Sequence, residues 1–131
     1  MFQKWQQCME IARKAIEQEN WEEAEKQLAL GVFEAERFGY NNTRLLETLA
    51  KQAEVFVAFG KTNEAVDSYE RALAMAKNAY GPFHHEIGSI LTGLGKLYIL
   101  YNEEEAEKNL KQAISVYPEL KDEREVLPTE Q

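Results

Sequence analysis

The sequence predicts an all-α fold, a right-handed superhelical array of three antiparallel helix pairs, and three observations carry that prediction. Aligning Ala24, Ala65 and Ala106 gives a period of 41 residues, which also superposes Leu28, Tyr69 and Leu110, and Gly31, Ala72 and Ala113. A period of this length marks stacked helical pairs. Apolar residues recur at helical spacing within each copy, as in Ala65, Tyr69, Ala72 and Ala76, and no stretch reads as a strand. The repeated small residues let helix backbones approach where they cross, while Leu28, Tyr69 or Leu110 fills the space one turn away. Stacking then removes apolar faces from water, at roughly 25 cal/mol per Å².

Each element follows from its own signals. Helix one is expected from about Lys4 to Glu19, with Trp5, Cys8, Ile11, Ala12, Ala15 and Ile16 as its apolar stripe. Asn20 can cap helix two, and Glu23, three residues on, can answer the cap's own N–H. Helix two then spans about Trp21 to Phe38 on a stripe of Ala24, Leu28, Gly31, Val32 and Ala35. Gly31 costs about 1 kcal/mol of helix propensity relative to Ala, which points to a close crossing there. Gly39 suits a left-handed C-terminal cap. Helix three, about Arg44 to Phe59, carries Leu45, Leu46, Leu49, Ala53, Phe56 and Val57. Gly60-Lys61-Thr62 makes a tight turn, with Thr62 or Asn63 capping helix four, and Pro82 prevents that helix from continuing past Gly81.

Helix five is expected from His84 or His85 to Tyr101, through Ile87, Ile90, Leu91, Leu94, Leu97 and Tyr98. Gly88, Gly93 and Gly95 weaken it, so packing must hold it. Asn102-Glu103-Glu104-Glu105 repeats the Asn-x-x-Glu box, and helix six runs to Val116 or Tyr117 before Pro118. Residues 1–117 are therefore one array, in pairs at about 4–39, 43–81 and 84–117, and residues 118–131 are an acidic tail that could form a short cap.

Composition narrows the function. The formal charge is −8, with 23 acidic against 15 basic residues, and no segment supplies the basic footprint that a phosphate backbone needs, so no nucleic-acid partner is expected. There is no apolar run of membrane-spanning length and no signal peptide, which makes a cytoplasmic protein without a membrane partner the expectation. Cys8 is the single cysteine, with no nearby metal-ligand pattern, and reads as an inert, partly buried thiol.

No chemistry is evident. His84 and His85 are adjacent at a loop-to-helix junction, so their side chains diverge, and the His-x₃-His or Glu-x-x-His spacing of a helical metal site is missing. The glutamates at Glu22-Glu23-Glu25, Glu64 and Glu103-Glu104-Glu105 stand in first helical turns, where the helix dipole favours each by roughly 0.3 to 1 kcal/mol. The chain has no glycine-rich phosphate loop after a strand and no Gly-x-Ser-x-Gly. Neither enzyme activity nor a cofactor or metal is expected.

The run Tyr80-Gly81-Pro82-Phe83-His84-His85-Glu86-Ile87-Gly88, followed by Leu91, Leu94, Gly95, Leu97, Tyr98 and Glu105-Ala106-Glu107, resembles the tetratricopeptide repeat family in its 42-residue, kinesin-light-chain-like variety. Leu49, Ala53, Phe56, Gly60, Ala65, Tyr69 and Ala72 match in the second repeat, and Ala12, Ala15, Ala24, Leu28 and Ala35 in the first. The resemblance covers roughly residues 3–117. It departs at Gly31, which replaces an alanine, at the first inter-repeat loop, which lacks the histidine, and near Asn102, where a glycine is common. In its family position His84 would pack or hydrogen-bond across the inter-repeat turn.

What the resemblance implies is a non-enzymatic adaptor that binds a peptide or protein on a concave face lined by the first helix of each pair. The implied positions are Met9, Arg13, Ile16 and Glu17, then Ala50, Glu54, Val57 and Ala58, then Thr92, Lys96, Ile99 and Leu100. Some members hold a partner's C-terminal carboxylate with lysines and asparagines, but Met9, Arg13, Ala50 and Lys51 stand at those places, which disfavours a chaperone-tail receptor. Arg13 and Lys96 are left to meet acidic groups on a ligand. The alternative function is self-association, with a homodimer formed through the uncapped C-terminal helical face.

Overall fold

Helical periodicity and capping residues give six helices among the described residues of a computed structural model. They are α1 (Gln3–Glu17), α2 (Trp21–Glu36), α3 (Thr43–Ala58), α4 (Thr62–Tyr80), α5 (His85–Tyr98) and α6 (Glu103–Val116). The structure describes residues 3–39, 42–81, 84–99 and 103–116, and no strand occurs among them. The expected break at Asn102, its cap, and the tail with its short cap lie outside the described residues. Helix α5 ends at Tyr98, short of the expected Tyr101. The chain divides into two compact units, Met1–Met75 and Ala76–Gln131, with the division inside α4.

In the first unit, α1 packs on α2 and α2 on α3. Ala12, Ala15, Ala24, Leu28 and Val55 form a core cluster, with Met9, Ile16 and Trp21 packed at its edge. The close crossing expected at Gly31 is present: a β-carbon there would lie 3.3 Å from the Thr48 methyl and 3.7 Å from Cys8 Cβ and Met9 Sδ. Thr48 is itself held, because its hydroxyl donates to the Arg44 carbonyl at 2.6 Å and accepts the Trp5 indole N–H at 2.8 Å. The Arg44 guanidinium lies 5.8 Å from the Trp5 ring centroid, a cation–π contact that ties α1 to α3 at the same place. In α4, Ala65 and Ala72 are fully buried, and Tyr69 is half-buried.

Caps and turns place these helices. Asn20 accepts the Glu23 N–H at 3.3 Å, as the sequence suggests. The reciprocal half of that box does not form, because the Asn20 N–H reaches the Ala15 carbonyl at 2.8 Å and the Glu23 carboxylate takes Gln27 instead. Helix α4 starts at Thr62, so Lys61 stands at the cap position in place of Thr62 or Asn63. The Lys61 carbonyl accepts the Ala65 N–H, while its ammonium pairs with Glu25 of α2 at 2.8 Å. Asn42 caps α3 by accepting the Leu45 N–H at 2.9 Å, and its amide donates to the Gly39 and Ala35 carbonyls at 2.7 and 3.2 Å. A second ion pair, Arg71 to Glu36, also joins the two helix pairs.

One residue faces the other way from the sequence expectation. Ile11 is 43% exposed, because α3 covers the opposite side of α1, where Trp5 and Met9 stand. In α3, Val55 is buried and Val57 is 43% exposed.

The second unit rests on α5 packed against α6. Helix α5 buries Ile87, Ile90, Leu91, Leu94 and Leu97, and α6 buries Ala113 and Asn109. His84 Nδ1 accepts the Glu86 N–H at 3.1 Å and its ring stacks on Tyr80 with centroids 4.3 Å apart. The histidine thus caps α5 and packs across the turn that precedes it, as its place in the repeat implies.

Candidate functional site

Each odd-numbered helix presents a stripe at spacing four, three and one, a pattern that keeps four residues on one helical side. On α1 the stripe is Met9, Arg13, Ile16 and Glu17, and on α3 it is Ala50, Glu54, Val57 and Ala58. The fold divides each stripe between core and solvent. Met9 lies against Gly31 and Thr48, and Ile16 packs on the core cluster. Arg13, Glu17, Glu54, Val57 and Ala58 are exposed, and Ala50 is intermediate. Within the second unit, α5 exposes Lys96 and Ile99 and half-buries Thr92, with Ile99 55% exposed. Leu100 lies outside the described residues.

Electrostatics correct one expectation. The Arg13 guanidinium is held by Glu10 on one side and by Glu17, at 2.6 Å, on the other. The Arg13 hydrogen bond holds the Glu10 carboxyl below the usual carboxylate range, and the guanidinium itself is raised by the same bond. A cation engaged by two carboxylates has little left for an acidic ligand. Lys51 lies 3.7 Å from Glu54. Burial, and then the Glu54 charge, raises the neighbouring Tyr69 hydroxyl. The cations of the α1 and α3 stripes are therefore engaged by carboxylates of their own helices, Arg13 by Glu10 and Glu17 and Lys51 by Glu54. Lys96 forms no ion pair among the described residues.

Among the described residues no group of three or more His, Cys, Asp or Glu is placed to hold a metal ion, and none of their helices is long and apolar enough to cross a membrane. Burial, with a contribution from Glu34, pushes the Cys8 thiol up, which lowers its thiolate fraction and its reactivity. Sequence reasoning missed two polar residues that position the site, Thr48 and Asn42. Neither breaks the apolar stripe, so only the tertiary partners reveal their role.

Helix pairs repeated along the chain define the α–α superhelix class of repeat proteins. The tetratricopeptide repeat profile matches residues 44–119, more than half of the chain. The chain belongs to the tetratricopeptide repeat family, whose helical repeats serve generally as scaffolds for protein–protein interaction.

Solved structures with a similar fold include BtubC (BKLC) from P. vanneervenii, at 18% identity and a TM-score of 0.77, covering 82% of this chain and 43% of that one. Two structures of a putative kinesin light chain with nearly identical TPR-like repeats from Podosopora anserina, one of them a point variant, match at 20% identity. Their TM-scores are 0.76 and 0.75, each covering 88% of this chain and 55% and 56% of theirs. This chain thus spans about half the length of the structures it matches, and the likeness at such identity concerns the fold. Compared with curated proteins, the chain matches none significantly.

Proposed function

We propose that the protein is a non-enzymatic interaction module that binds an extended or helical segment of a partner protein on the stripe-bearing sides of its first-position helices. The observation that carries this reading is Val57, 43% exposed on α3, with exposed Ala58 beside it and exposed Glu54 one turn before it, while Arg13 and Glu17 are exposed on the α1 stripe. An apolar patch with a polar rim is the usual composition of a peptide site. The ligand it suits has two or three apolar anchors and neutral or basic flanks, because the cations Arg13 and Lys51 are already paired. Ile99 on α5 is a second exposed apolar residue at the corresponding repeat position.

The narrower placement in the kinesin-light-chain-like variety rests on the Tyr80–Gly88 run and on the fold shared with the kinesin-light-chain structures. Peptides selected by display against the whole chain test the binding reading. They should lose at least tenfold in affinity for Val57→Glu, shown by circular dichroism to be folded. Selected peptides that bind wild type and Val57→Glu equally would remove the α3 stripe as the site.

A further inference from the structure

Among the described residues three side chains cap helix starts, and one of them can change its charge. Asn20 and Asn42 accept the N–H groups of Glu23 and Leu45 through carboxamide oxygens, which do not titrate. The third is His84. It has the extended backbone of a cap residue, φ −73° and ψ 146°, and its Nδ1 accepts the Glu86 N–H at 3.1 Å. A ring nitrogen that accepts has no proton of its own, so the capping ring is neutral with its proton on Nε2.

A second contact holds the ring in place. It stacks on Tyr80, the last residue of α4, with centroids 4.3 Å apart and planes 23° from parallel. An aromatic face retains imidazole by stacking and imidazolium by cation–π attraction, so the ring keeps its position in both states. What changes is the sense of the hydrogen bond. Imidazolium carries a proton on each nitrogen, and Nδ1–H would then face the Glu86 N–H, donor against donor, at the end of α5 where the helix dipole already disfavours a cation.

The charged groups of the two helices that the ring joins pull in opposite directions. Glu86, in the first turn of α5, attracts imidazolium, and Lys77, one turn before Tyr80 in α4, repels it. Glu86 is exposed, so its attraction is screened by solvent and does not replace the lost acceptor. The last turn of α6, the other helix packed on α5, carries no charged residue.

We propose that His84 makes the start of α5 a pH-sensitive joint, closed by neutral imidazole and released by imidazolium. Imidazole is the side chain that changes charge between roughly pH 5 and 8, so mild acidification opens the joint. Helix α5 is poorly able to absorb the loss, because Gly88, Gly93 and Gly95 leave it little propensity of its own. The starts of α2 and α3 have carboxamide caps and stay closed over the same range.

Amide exchange followed by NMR on the full chain tests this, with His85→Gln in every sample so that one of the chain's 2 histidines remains. The chain with His84 is compared with His84→Asn, whose carboxamide caps without titrating, at roughly pH 7.5 and roughly pH 5.5. Protection of the Glu86 amide should be similar in the two chains at the higher pH. At the lower pH it should be about threefold or more weaker with His84 than with Asn. The Leu45 amide, capped by Asn42, should show no such difference. Ring nitrogen NMR shifts give a second reading that needs no substitution at residue 84: Nδ1 should lack a proton at the higher pH and gain one as Glu86 protection falls. A protection ratio that is the same at both pH values, a ratio that moves the opposite way, or a neutral ring with its proton on Nδ1 would overturn the proposal.

Discussion

Glu19 holds a backbone φ of 56°, the one positive value at a non-glycine residue among those described. Its N–H reaches the Ile16 carbonyl at 3.0 Å and the next N–H, of Asn20, reaches Ala15 at 2.8 Å. One period later Gly60, at φ 80°, makes the same pair of bonds: its own N–H reaches Val57 at 3.1 Å and the Lys61 N–H reaches Phe56 at 2.7 Å. Both turns end a helix with a left-handed residue that satisfies its last carbonyls, but only the second uses the residue suited to it. Glu19→Gly should therefore stabilise the protein by about 0.5 to 1 kcal/mol, read as a higher urea midpoint at unchanged slope. A decrease would mean that the Glu19 side chain matters to the fold. The need for a glycine-like turn at residue 60 is legible in the sequence, and the same need at 19 is hidden, because a glutamate carries no conformational signature.

At the scale of the helix, the starts and stops are legible because glycines, asparagines and proline punctuate the chain. Sidedness is harder to read. Ile11 belongs to an apolar stripe by spacing and faces solvent by packing, since a four-residue spread around a helix cannot say which edge a third helix will cover. Thr48 is buried and polar for the same reason: its partners stand on α1, 39 and 43 residues away. On α4, Tyr69 fills the place of a fully buried aromatic in the repeat and is half-buried in fact.

Burial and then Glu54 raise the Tyr69 hydroxyl from its ordinary value of 10.0. Between the unfolded and the folded pKa, the native state holds more protons than the unfolded chain. Stability therefore falls as pH rises through that window, and below the unfolded value the tyrosine has no effect. Thermal melts at roughly pH 9 and roughly pH 11 should show a smaller loss for Tyr69→Phe than for wild type. Equal losses would mean that Tyr69 is solvated enough to ionise freely in the native state.

At the scale of the whole molecule, the repeat predicts near-equivalent pairs, and local composition makes them unequal. Helix α5 carries Gly88, Gly93 and Gly95 within fourteen residues, each weaker than Ala by about 0.8 to 1 kcal/mol in a helix. Its stability comes from the buried row Ile87, Ile90, Leu91, Leu94 and Leu97. Repeat proteins open locally, unit by unit. Native-state hydrogen exchange should accordingly find the amides of α5 and α6 less protected than those of α2 and α3. Equal or greater protection in α5 would show that its packing outweighs its composition. The candidate stripes were legible only as positions in a register. That Arg13 is neutralised by Glu10 and Glu17 of its own helix depends on side-chain rotamers that a periodicity cannot supply.

The junction between the first two helix pairs turns on a single carboxamide. Asn42 accepts from Leu45 and donates to both Gly39 and Ala35, and among the residues that cap helices well only asparagine offers an acceptor together with two amide donors. Hydrolysis of that amide to aspartate would keep the cap and turn a carboxylate oxygen toward two carbonyls it can no longer satisfy. The bend between the pairs is thus exposed to chemical ageing, in which a change of one functional group, with no change in backbone or bulk, replaces two attractions with two repulsions.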